Sequence, residues 1–225
     1  MMYYFIMLLI FTIINILVLG IGFEHPPFYA MQSILIPYNV ENRRIILSNL
    51  LINYGIIMVF VMNILRSFHE LFSMNPFILS RTNKGKSFFI YLKRVFKNVI
   101  FLLIVKFIAD LITGQINGIL NVDIFILYYI SSFITLFLWT LSAFLLYILK
   151  VGEKKIIFIL LSSLFIIQYL SFGNKFLCIF VMATLNMLGQ FWFWIILKLC
   201  VIIILVLINY KLFLKSEVIG GIKDD

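Results

Sequence analysis

Apolar residues dominate six stretches of this chain, residues 4–21, 45–65, 95–113, 124–148, 156–170 and 191–208. Several reach the roughly 18 to 20 residues that carry a helix across a hydrocarbon layer of about 30 Å. Their apolar character is continuous and does not alternate every second residue, so the pattern predicts helices and argues against a β-barrel. In lipid a helix also satisfies its backbone N–H and C=O groups within its own segment. The expected fold is an all-α membrane protein, a single transmembrane domain over 1–225 with six transmembrane helices.

Polar positions inside the runs qualify this picture. The third run carries Lys97, Lys106 and Asp110. Lys106 and Asp110 are spaced i to i+4, which puts them on one helix face within pairing distance. Ionisable groups in lipid are costly, and mutual neutralisation as a structural pair is preferred here to a polar pathway between subunits. Lys198 lies seven residues into the sixth run, near Trp192 and Trp194, and is expected to snorkel to the interface as an anchor. Between the fifth and sixth runs, residues 176–185 are apolar but too short to cross, and Gly173 and Gly189 bracket them. A re-entrant segment is expected there, the alternative being an extension of a neighbouring span.

Composition agrees with a lipid environment: 64% of residues are hydrophobic and 12% are charged, with a net charge of +9. The basic residues are unevenly placed. Thirteen fall at 66–97, 150–155 and in the tail from Lys211 to Lys223, whereas Arg43, Arg44 and Lys175 stand on the other face. Basic residues are retained in the cytoplasm, so both termini and the loop between the second and third spans are expected there, with 22–44 as an external loop. The charge is a topology signal, and no nucleic-acid partner is expected, since no soluble basic surface with stacking aromatics is visible. The N-terminal run lacks basic residues before it and a small-residue cleavage site after it, and reads as an uncleaved span. Cys178 and Cys200 have neither disulfide nor metal spacing and read as small apolar residues.

The segment 66–97 is the largest polar region on the cytoplasmic side. Its second half places Phe89, Leu92 and Phe96 on one face and Lys86, Lys93 and Lys97 on a neighbouring one, predicting an amphipathic helix at the membrane surface that leads into span three. Pro76 disfavours helix at Asn75, and the turn at 83–85 separates Phe77, Ile78, Leu79, Ser80 and Arg81 as a short element. By these residues alone, that element is either a docking knob or part of a plain basic loop.

Six spans, cytoplasmic termini, the run Asn75-Pro76-Phe77-Ile78-Leu79-Ser80-Arg81-Thr82-x-x-Gly85-Lys86 and the semi-apolar stretch before the last span resemble the membrane subunit of an ABC-2 type exporter. Size and layout are similar to the short permeases of bacteriocin and lantibiotic immunity or antimicrobial-peptide export. The resemblance implies a coupling region at 66–97, with Phe77, Ile78, Leu79 and Arg81 set in a groove of an ABC ATPase subunit. It also implies a second permease copy or related permease, a bacterial plasma-membrane location, and export of a hydrophobic or amphipathic substrate, a peptide being favoured. The segment 22–44 is longer than the smallest such permeases lead one to expect.

The chain has no phosphate-binding loop of its own: Gly85-Lys86-Ser87 lacks the upstream glycine, because position 80 is serine. ATP and Mg are therefore expected on the partner, with no cofactor, metal or catalytic residue in this chain. His25 and His69 fall on opposite sides of the membrane, and neither a Cys/His nor a paired-glutamate protease constellation is present. His69 and Glu70 beside Arg66 read as a solvated helix end. The alternatives are a substrate-binding component of a vitamin importer, which the shortage of alanine and glycine disfavours, and a membrane assembly protein without transport.

Overall fold

A computed structural model of the chain describes residues 2–20, 38–39, 44–45, 47–74, 78, 82–116, 122–170, 175–180 and 190–215. Six α-helices account for most of them: α1 (Met2–Gly20), α2 (Leu47–Ser73), α3 (Lys84–Ile116), α4 (Val122–Ile148), α5 (Glu153–Leu170) and α6 (Phe191–Lys215). Each expected run falls on one helix. The departure from all-α is a two-residue antiparallel ladder in which Tyr38 and Asn39 pair with Ile45 and Arg44. Among the described residues, two helices are long and apolar enough to cross a membrane, Tyr129–Ile148 within α4 and the whole of α6, while Tyr3–Ile16 is a shorter apolar helix.

Contacts fix the helix directions. Tyr4 meets Phe101 and Asn15 meets Asp110, so α1 and α3 run parallel. Phe72 stacks on Tyr91 at the end of α2 and near the start of α3, and His69 reaches Glu153 at the start of α5. The end of α2, the start of α3, the end of α4, the start of α5 and the end of α6 thus converge at one end of the bundle, and most of the basic residues lie there. We call it the basic end.

Aromatic rings hold this end together. Phe68 stacks on Phe144 at 5.1 Å, and Phe72 lies between Tyr91 at 5.4 Å and Tyr147 at 5.2 Å. Phe88 and Phe213 bring in α3 and α6. Such pairs add about 0.5–1.5 kcal/mol each beyond the area they bury. At the start of α3, Gly85 permits close approach: a Cβ there would sit 3.3 Å from the Tyr210 hydroxyl oxygen.

The helices differ in how much of their surface they hide. In the apolar stretch of α4, 67% of positions are buried, against 28% in α6. α4 is accordingly the central helix, and α6 presents Trp192, Phe193, Ile196, Ile203, Ile204 and Leu207 outward.

The amphipathic helix differs from expectation. It is the first part of one continuous 33-residue helix, and its apolar face turns into the protein instead of along a membrane surface. Phe88, Tyr91, Leu92, Val95 and Val99 are buried against neighbouring helices, whereas Phe89 is 59% exposed and Phe96 packs on Phe133 and Phe137 of α4. Of the expected face, Leu92 and Phe96 turn inward and Phe89 does not; Phe88 takes its place against the aromatic ends of α4 and α6.

Between α5 and α6 the described part is a short 3-10 helix, Lys175–Ile179, followed by Phe180, whose carbonyl accepts a 2.9 Å hydrogen bond from the Trp139 indole. The rest of the expected re-entrant segment lies outside the described residues, as do His25 and most of the external loop 22–44.

Candidate functional site

The polar groups of the interior concentrate around Asp110. Its Oδ1 accepts from Lys106 Nζ and, at 2.7 Å, from Asn15 Nδ2, while Oδ2 accepts from the Tyr129 hydroxyl. Asn15 Oδ1 accepts from Lys106 Nζ at 3.4 Å, and Asn15 Nδ2 also donates to Thr113 Oγ1 at 3.2 Å. Lys106 Nζ lies 5.7 Å from the Phe11 ring centroid, within cation–π range. Asn15, Lys106 and Asp110 are wholly buried.

The i to i+4 spacing thus brings Lys106 and Asp110 together, and α1 and α4 complete the set. Both carboxylate oxygens are engaged and the positive and negative charges cancel, which is the condition under which a buried ion pair is tolerable. The arrangement joins α1, α3 and α4 in one register. Asn15 and Tyr129 were not singled out by the sequence. An amide inside an apolar run is a usable signal on the same cost grounds as Lys106; nothing distinguishes Tyr129 from Tyr128.

Lys198 does not snorkel. It is wholly buried, and its ammonium donates to Ser131 Oγ at 2.9 Å and Thr135 Oγ1 at 2.7 Å on α4. The face of α6 that bears it also carries Ile195, Ile202, Asn209 and Phe213, all buried, so the side chain is committed to α4 and not to the interface. Trp194 likewise turns inward at 5% exposed, while Trp192 stays outside. Farther along the same seam, Asn209 Nδ2 donates to the Leu141 carbonyl at 2.9 Å. A third polar joint links α2 and α3, where Asn98 donates to Ser67 Oγ at 2.9 Å.

The loop joining α2 to α3 is short and tied at both ends. Ile78 N–H donates to the Met74 carbonyl, and both Thr82 N–H and its hydroxyl donate to the Ile78 carbonyl. Thr82 and Ser87 hydroxyls meet at 2.7 Å, and Asn83 caps α3 by accepting from Lys86 N–H at 2.9 Å. Ile78 packs against the buried core. It is half-buried, with part of its side chain packed on the bundle and part left exposed. Phe77, Leu79 and Arg81 lie outside the described residues.

Around this loop, Arg66 pairs with Glu70 at 3.1 Å, and His69 Nδ1 lies 2.5 Å from Glu153 Oε1. The first is the solvated helix end read from the sequence; the second ties α2 to α5. Tyr91, beneath the loop, has its hydroxyl pushed up to about 12 by burial. Cys200 is a free, exposed thiol on α6, and the Cys178 side chain lies outside the described residues. Among the described residues no three His, Cys, Asp or Glu side chains gather as a metal site. No protein-family model, curated protein or solved structure matches this chain.

Proposed function

We propose that the chain is the membrane-spanning permease subunit of an ABC transporter, crossing the plasma membrane six times with its basic end in the cytoplasm. A separate ATPase subunit drives export of a hydrophobic or amphipathic substrate, with peptides as the favoured class, and a second permease completes the pathway. The observation that carries the reading is the tied loop between α2 and α3. Hydrogen bonds through Met74, Ile78, Thr82 and Asn83 join it to both helices, and Ile78 anchors it in the core. From Asn83 the chain enters α3, which runs without interruption to the Lys106–Asp110 joint.

Ile78, half-buried against the core, stays among the docking residues in this reading and also ties the loop to the bundle. The test is co-purification of the tagged full chain from its native membranes. Wild type should retain an ATPase with a phosphate-binding loop; Phe77→Asp/Leu79→Asp should lose it while inserting normally. Unchanged retention by the double variant would overturn the docking assignment.

A further inference from the structure

The fold assembles a cationic aromatic cluster from three helices that are distant in sequence. At the start of α1, Tyr3 and Tyr4 meet edge to face at 5.3 Å. On one side Arg66 of α2 lies over the Tyr3 ring, its guanidinium carbon 5.9 Å from the centroid. On the other, Tyr4 packs on Phe101 of α3 at 5.8 Å, and Lys97 Nζ lies 5.6 Å from the Phe101 centroid. Two cations thus bracket a tyrosine pair, with the exposed Arg94 one turn before Lys97. Among the described residues, Arg66 pairs with Glu70, and Lys97 and Arg94 lie outside any ion pair.

The surface changes character directly beyond the cluster. On α3 the exposed side chains following Lys97 are Phe101, Ile104, Ile108 and Ile112. On α1 those following Tyr4 are Phe5, Ile6, Leu9, Ile10, Ile13 and Ile16. A band of basic and tyrosine side chains capping continuous aliphatic faces has the pattern of a headgroup level, with hydrocarbon on one side and water on the other.

We infer that Arg66, Lys97, Tyr3 and Tyr4 form a binding site for the headgroup of an anionic phospholipid in the cytoplasmic leaflet, whose acyl chains lie along the exposed faces of α1 and α3. Charge and apolarity select this occupant together. The anionic headgroup is matched by the cations that flank the tyrosine pair, and its chains cover the exposed apolar faces of α1 and α3. The inference rests on the membrane placement proposed above and not on the ATPase partnership, so its test uses the permease alone.

The full-length chain is placed in phosphatidylcholine nanodiscs with increasing phosphatidylglycerol, and retained lipid is counted by native mass spectrometry. A lysine or arginine at an anionic surface is worth about fivefold in affinity, so Arg66→Gln/Lys97→Gln should weaken phosphatidylglycerol retention roughly 25-fold. Lys154→Gln/Lys155→Gln, at the same basic end but on α5 and outside the cluster, should retain the lipid as wild type does. The charge-preserving Arg66→Lys/Lys97→Arg variant should keep the preference, which separates lost charge from lost folding. Equal retention by wild type and Arg66→Gln/Lys97→Gln would overturn the site. So would loss in the charge-preserving variant. Inorganic phosphate that displaces the lipid at millimolar concentration would assign the site to free anions instead.

Discussion

Asp110 shows how a single buried carboxylate can fix three helices. It takes hydrogen bonds from Asn15, Lys106 and Tyr129, and removing one charge strands the other without solvent. Lys106→Met should therefore cost about 3–5 kcal/mol in thermal unfolding of the detergent-solubilised protein, whereas Lys106→Met/Asp110→Leu should cost less than Lys106→Met alone. A larger loss in the double variant would mean that the pair contributes more than mutual neutralisation. Tyr91 gives a pH signature. Burial raises its hydroxyl from 10.0 to about 12, so the neutral form is the one the fold accommodates. That stabilisation is complete below pH 10 and is lost as the pH rises toward 12. The stability difference between wild type and Tyr91→Phe should shift against wild type over that interval and stay constant below it. The pairing of Lys106 with Asp110 was legible from their spacing, because helix geometry alone decides it. The burial of Lys198 was not, because it depends on Ser131 and Thr135 sixty residues away facing the same seam.

At the scale of elements, the ends of helices carry the readable chemistry. α4 closes with Lys150 at φ 57°, where Lys150 N–H bonds to the Tyr147 carbonyl and Val151 N–H to the Leu146 carbonyl. This is a Schellman closure with lysine where glycine is preferred. Lys150→Gly should raise stability by about 1 kcal/mol, measured by denaturant titration, because it removes the left-handed strain. At the other kind of end, Asn83→Ala should cost about 1 kcal/mol through loss of the cap on Lys86 N–H. Helix positions followed from the apolar runs. The inward face of early α3 did not follow. The choice between Phe88 and Phe89 is made by Phe144 and Phe213, which a helical periodicity within one segment cannot represent.

For the whole molecule, alternating helix directions bring the start of α1 and the end of α6 to the basic end, together with the loop between α2 and α3. The proposed orientation makes this end cytoplasmic. Single cysteines at Lys86 and Lys211, in a Cys178→Ser/Cys200→Ser background, should then react with an impermeant thiol reagent in inside-out vesicles and not in intact cells. Beyond orientation, the account stands on coupling between a tied loop and a separate motor. The most direct measurement is ATP hydrolysis by the co-purified complex reconstituted in liposomes, with and without an amphipathic cationic peptide. The account predicts hydrolysis that the peptide stimulates in the wild-type complex and that Phe77→Asp/Leu79→Asp abolishes. A chain that retains no ATPase from its native membranes, or a complex whose hydrolysis is unaffected by that double substitution, would contradict it.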